Sequence, residues 1–276
     1  MQSRRSILHA GLGLGLGLAG AGVALFRQGA RAADAQIVLG LASPGRLADP
    51  IYEAVQEAKA QGLSVKVIEF TDWIAPNEAL QNGDIDVNYY QHLPFLANAS
   101  KAKGYRFVSV GVGTSAKLGL YSRKHKTFAD IPQGGTVAIA NDPVNGGRGL
   151  VLLERAGLIK LAPGLDIQAT VLDIADNPKN LRILEVQAQQ LPRTLEDVDL
   201  AEGYAHLLKD YGVDPNGALL FDPIQARFAL QFVVRPDNPR IGQVKQFVHL
   251  YQTSDKVRGV LKDRFGDLIV PGWLAA

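Results

Sequence analysis

The sequence predicts an α/β fold of two lobes, each a parallel or mixed sheet flanked by helices, with a cleft between them. Three observations carry this expectation. Short apolar runs alternate with stretches of helical periodicity after residue 32, the rhythm of βαβ units. That rhythm restarts near Lys124, giving two similar sets. A long apolar strand at Phe228 to Val234 then returns the chain toward the first set. One large α/β domain is the other reading, because 276 residues fit either.

Ile37 to Leu41 is a short apolar run suited to a buried parallel strand. Asp49-Pro50 then offers an N-cap and a proline at the first helical position, and Ile51, Ala54, Val55 and Ala58 fall on one helical face. Gly62 ends that helix. Val65 to Phe70 reads as a second strand, Asn77 to Gln81 as a short helix and Ile85 to Val87 as a third strand. Phe107 to Val112 and Leu118 to Tyr121 follow as strands. In the second set, Thr136 to Ala140 is a strand and Arg148 to Ala156 a helix opened by Asn145-Gly146-Gly147. Further strands are expected at Ile167 to Val171, Ile183 to Val186 and Asp199 to Ala201, and two helices close the chain. The expected division is residues 1–32 as a signal segment, 33–123 with 224–276 as the first lobe, and 124–223 as the second.

The first 32 residues read as a cleavable export signal. Ser3-Arg4-Arg5-Ser6-Ile7-Leu8 is a twin-arginine pattern, a glycine-rich apolar stretch runs from Ala10 to Phe26, and Ala30-Arg31-Ala32 offers small residues for cleavage. An uncleaved anchor is the other reading, and six glycines from Gly11 to Gly22 weaken it as a spanning helix. The segment carries four of the 29 basic residues and no acid, so the remainder holds 25 basic against 27 acidic residues. A basic footprint for nucleic acid is absent. Cysteine is absent too, which excludes disulfides, thiolate metal sites, a cysteine nucleophile and a lipid-modified cysteine. The five histidines show no metal-ligand spacing, and neither a G-x-S-x-G elbow nor a phosphate loop is present. No cofactor is expected.

Several stretches carry a more specific signal. Asn88-Tyr89-Tyr90-Gln91-His92-Leu93-Pro94-Phe95-Leu96, Asn141-Asp142-Pro143-Val144-Asn145-Gly146-Gly147-Arg148, Asn177-Pro178-Lys179-Asn180-Leu181 and Gln190-Leu191-Pro192-Arg193 occur in order, with Gly272-Trp273 at the end. Together they resemble the MetQ/NlpA family of methionine-type substrate-binding proteins over nearly the whole chain beyond the signal. The resemblance implies a two-lobed periplasmic binding protein fold that closes on a free amino acid and delivers it to an ABC permease and its ATPase. It implies no catalytic chemistry. Most such proteins are lipoproteins, whereas this sequence points to a soluble periplasmic monomer.

The candidate ligand residues follow from those motifs. Arg148 is expected in the first turn of its helix, where backbone N–H groups and a guanidinium fork suit a carboxylate; read alone it favours a surface arginine in a salt bridge, and its place in the family motif turns the reading toward ligand binding. Asn145 belongs to the same motif. Tyr90, His92 and Phe95 form an aromatic group that, by the resemblance, lines the pocket; they also read as core residues with His92 as a backbone cap. Trp73 matches a family aromatic. The departures bear on the ligand. After Asp197-Val198-Asp199-Leu200-Ala201 the chain continues Glu202-Gly203-Tyr204, placing Tyr204 where the family has an asparagine. Leu230 replaces a second asparagine, and Lys117 follows a segment that lacks the family's aromatics. Glu202 offers an acceptor for a ligand ammonium. The expected ligand is therefore an amino acid or related small carboxylate other than methionine.

Overall fold

Ile37–Leu41 has no polar side chain, and a strand so composed is stable only where both faces are covered. In the computed structural model, which describes residues 36–42 and 46–274, it lies inside a five-stranded sheet. The signal segment expected over residues 1–32 lies outside the described residues. The sheet order is Val65–Glu69, Ile37–Leu41, Val87–His92, Leu230–Val234, Val108–Val112. The first three strands run parallel, and Leu230–Val234 is antiparallel to both its neighbours. The helix Asp49–Ala60 buries Ile51, Ala54 and Ala58 against this sheet's core, together with the closing helices Ile241–Thr253 and Asp255–Phe265.

A second five-stranded sheet has the order Arg182–Val186, Thr136–Ala140, Leu200–Tyr204, Leu118–Tyr121, Leu220–Asp222. Again the first three strands are parallel and the fourth is antiparallel to both neighbours. Its own apolar cluster joins Leu118, Leu120, Val137, Ile139, Leu150 and Leu153. Both sheets belong to one compact unit, Ala35–Ala276. The chain passes from the first sheet to the second between Val112 and Leu118 and returns between Asp222 and Leu230. Leu118–Tyr121 thus pairs in the second sheet, so the expected boundary at 123/124 falls on the wrong side of it; its partners Leu200–Tyr204 and Leu220–Asp222 come from far along the chain.

Two other local expectations are corrected. The second-lobe helix starts at Pro143, not at Arg148, because the Asp142 carboxylate caps the Asn145 N–H at 2.9 Å and proline takes a first-turn position. Arg148 therefore lies beyond the first turn, and the glycines before it are inside the helix. They serve close packing: a Cβ at Gly147 would stand 2.1 Å from the Ile167 carbonyl oxygen. Ile167 to Val171 is not a strand. The segment forms the short 3-10 turns Asp166–Gln168 and Val171–Asp173, the latter closed by reciprocal Thr170 and Asp173 caps.

Candidate functional site

In open α/β sheets the space for a ligand lies beyond the carboxyl ends of the strands. Val87–His92 ends at His92, and the helix Leu93–Lys103 begins immediately after it. Leu200–Tyr204 ends at Tyr204, followed by the short helix Ala205–Lys209. Thr136–Ala140 leads into Pro143–Arg155. These three ends meet around a cavity of about 620 Å³, mouth included. Trp73, Tyr90, His92 and Phe95 line it from the first-sheet side, and Asn145 and Tyr204 from the second.

The aromatic group is interlocked. Trp73 meets the Phe95 and Tyr204 rings edge-on, each at 6.4 Å between centroids, and Tyr90 meets Phe95 at 5.9 Å. Polar tips are tied to the backbone: the Trp73 indole N–H donates to the Ala42 carbonyl at 3.2 Å and the Tyr90 hydroxyl to the Trp73 carbonyl at 3.1 Å. Gln91 is closed into a buried amide ring with Asn77 and Asn88. Thr114, also on the cavity wall, is bonded to the Tyr89 hydroxyl at 2.8 Å.

His92 both lines the cavity and caps a helix. Its Nδ1 accepts the Phe95 N–H at 3.2 Å, which leaves Nε2 to carry the proton and donate to the Asn145 side-chain oxygen at 3.2 Å. Burial lowers its pKa to about 4, so the ring is neutral at pH 7. The same Asn145 oxygen accepts from the Tyr204 hydroxyl at 3.0 Å, while the Asn145 amide donates to both Asp142 oxygens. Asn145 is thus the junction at which His92, from one sheet, and Tyr204, from the other, share one acceptor.

Arg148 and Glu202 are placed otherwise. Arg148 is 3% exposed and off the cavity wall. Its Nε and Nη2 both reach Asp222 Oδ2, at 2.7 and 2.6 Å, and its guanidinium lies 3.8 Å from the centroid of the Phe228 ring. Phe228 in turn lines the cavity and meets His92 edge-on at 5.2 Å. The cation therefore sits one ring behind the wall, paired with Asp222, which Arg155 also contacts at 3.0 Å. Glu202 is 1% exposed between the sheet and the Pro143–Arg155 helix; Oε2 accepts the Ala140 N–H at 3.0 Å and Oε1 has no partner. A Cβ at Gly149 would lie 2.6 Å from Oε2, so this glycine makes the room for the carboxyl. Burial first, then the nearby Asp142 and Asp222 charges against the opposing pull of Arg148, raises the Glu202 pKa to about 8. It is mostly protonated at pH 7.

Of the departures noted in the sequence, Leu230 lines the cavity, whereas Gln231 is engaged by Ser109 and its own Ala229 carbonyl. Lys117 is also elsewhere, paired with Asp267 and 5.7 Å from the Phe221 ring centroid. Phe228 and His206 are among the wall residues that sequence reasoning passed over. Phe228 was read as the start of a strand but belongs to the 3-10 turn Ala226–Phe228. His206 stood alone in the sequence; it lies in the first turn of the short helix Ala205–Lys209, just past the strand end at Tyr204. No group of three or more His, Cys, Asp or Glu positioned for a metal occurs among the described residues.

Two sheets of like topology closing on an aromatic-walled cavity at their strand ends define the class as a substrate-binding protein of the periplasmic type. The chain belongs to the NlpA lipoprotein family, whose model matches residues 37–273. It is 40% identical over 215 residues to the D-methionine-binding lipoprotein MetQ of Yersinia pestis, covering 77% of this chain and 79% of that one. A periplasmic substrate-binding protein of an ABC transporter from Coxiella burnetii shares 38% identity at a TM-score of 0.79, covering 85% of this chain and 99% of that one. A nutrient-binding protein from Burkholderia cenocepacia, solved bound to methionine, shares 38% identity at a TM-score of 0.77, covering 85% and 99%. The MetQ relative is named a lipoprotein, while these 276 residues contain no cysteine to carry a lipid.

Proposed function

We propose that this chain captures an amino-acid-like solute in the cavity between its sheets and delivers it to an ABC permease and its ATPase. The observation that carries the reading is the Asn145 junction. One amide oxygen receives a donor from each sheet on the wall of an aromatic cavity. A solute's head group can take over these bonds, of which the one from His92 to Asn145 crosses the cleft, so that affinity for the closed form follows from contacts made only there. Trp73, Tyr90 and Phe95 flank the solute's side chain. Arg148 holds positive potential behind Phe228 for the solute's carboxylate, and Glu202 acts as a neutral group supporting the helix rather than as a charged acceptor. Both His92 nitrogens are occupied by an amide and a backbone N–H, which suits recognition better than proton transfer.

The solute in this reading is not methionine, since Tyr204 and Leu230 replace two amide side chains at the wall. Export to the periplasm by the twin-arginine route, as a monomer without nucleic-acid partners, accords with the sequence. Among the described residues no helix is long and apolar enough to cross a membrane. The test is calorimetric titration of protein stripped of ligand by unfolding and refolding, against the amino acids and small carboxylates. Saturable binding with one site is expected. L-methionine binding at micromolar Kd or tighter would remove the non-methionine part, and no binding by any of them would end the proposal.

A further inference from the structure

The polar side chains on the cavity wall are nearly all spent. Trp73 and Tyr90 donate to backbone carbonyls, Gln91 and Thr114 are closed into networks with neighbouring side chains, and His92, Asn145 and Tyr204 satisfy one another. Among the described residues, His206 is the exception. Its Nδ1 is shielded from solvent and has no hydrogen-bond partner, and the ring's contact is a tilted one with Tyr204 at 5.9 Å.

Its position gives that deficiency a meaning. The His206 ring forms part of the cavity wall and, with Leu47 and Leu207, also part of the wall of a second hollow of about 390 Å³, mouth included. Beyond this partition the lining changes from aromatic to charged, with Lys209, Asp210 and Arg264. His206 thus stands where the apolar chamber gives way to polar surface. No Asp, Glu, Lys or Arg lines the chamber itself among the described residues. Desolvation holds the imidazole neutral at pH 7, so the ring offers one donor and one acceptor and no charge. A buried ring nitrogen without a partner is unfavourable in the free protein, and a ligand whose polar group reaches that nitrogen as the ring turns toward the cavity recovers the loss, whereas an aliphatic ligand does not.

We propose that His206 is a specificity-determining residue that hydrogen-bonds a neutral polar group at the end of the solute's side chain, so that this site selects an uncharged amide or hydroxyl amino acid over apolar ones. The inference rests on the solute-binding reading above and narrows its ligand class. A thioether end, a weak acceptor only, answers this wall poorly.

The experiment uses three isosteric pairs titrated into ligand-stripped protein: threonine against valine, asparagine against leucine, and glutamine against homoleucine. In at least one pair the polar member should bind ten-fold or more tightly than its apolar twin. His206→Leu should bring that ratio to within about two-fold of unity while the apolar member's Kd is retained, and His206→Gln, which keeps a donor and an acceptor, should restore part of the preference. The thermal midpoint of solute-free His206→Leu should not fall below that of the parent, showing that the lost preference is not lost folding. Apolar members binding more tightly in all three pairs, or a polar preference unmoved by His206→Leu, would overturn the role of His206 and leave solute binding intact. Failure of all six to bind would overturn the role of His206, and failure of every amino acid and small carboxylate would overturn both.

Discussion

The two sheets build their sides of the cavity from opposite materials. At the end of Val87–His92, all six strand residues are buried and every polar one is neutral and satisfied: Asn88 and Gln91 in the amide ring with Asn77, Tyr89 on Thr114, Tyr90 on a backbone carbonyl, His92 between Asn145 and Phe95. At the end of Leu200–Tyr204 the corresponding layer is ionisable and strained in its hydrogen bonding. Glu202 keeps an unpartnered oxygen, Arg148 and Asp222 form a buried pair, and His206 keeps an unpartnered nitrogen. The first wall is a rigid platform. The second holds groups whose burial costs stability unless something offsets it.

Breaking the second wall at its ion pair should give the largest effect. Asp222→Ala leaves Arg148 buried beside Phe228 without its carboxylate, and a loss of about 3–5 kcal/mol in unfolding free energy is expected by urea denaturation. A loss under about 1 kcal/mol would mean the guanidinium finds water, and the contrast between the walls would lose its main support. Asn145→Ala removes the acceptor at which the walls meet, stranding the His92 and Tyr204 donors. Solute affinity should fall by about 2–3 kcal/mol in calorimetry, within the range for leaving buried donors unmade.

The Glu202 carboxyl sharpens the comparison through pH. Its folded-state pKa, about 8, lies above its ordinary value of 4.5, so the folded chain holds its proton more tightly than the unfolded chain. Its contribution is therefore fully present below about pH 4.5 and is lost as pH rises through 8. Glu202→Gln, which cannot ionise, should match the parent in stability near pH 4.5 and exceed it increasingly as the pH rises toward 8, measured by urea denaturation across that range. Equal pH profiles would show the carboxyl to be solvated. On the first wall the smallest change is expected: Trp73→Phe keeps most of the apolar surface and loses the indole bond to Ala42, weakening solute binding by about 1 kcal/mol.

The contrast also explains what could be read before the fold was known. The first wall was legible because its residues are contiguous. Tyr90, His92 and Phe95 lie within six positions on one strand end and the helix it enters, and their motif resembles a family's. Trp73, Asn145 and Tyr204 were also anticipated on the cavity. The roles of Arg148 and Glu202 were not. A salt bridge to Asp222, 74 residues away, leaves no trace in local spacing. The helix start was misplaced because Gly146-Gly147 look like a loop until the Ala140 and Ile167 carbonyls are seen pressed against them. His206 was discounted for want of a sequence partner, yet it is the want of a spatial partner that marks it out.

The sequence by itself determined the α/β rhythm, the doubling into two sheets and the family, because apolar periodicity, capping residues and contiguous motifs are encoded within a few residues of one another. Only the tertiary structure decided which charges face one another, which strand joins which sheet, and which buried atoms go without a partner. Those are properties of distance and solvent access between segments far apart along the chain, and they exist only once the two sheets have closed around the cavity.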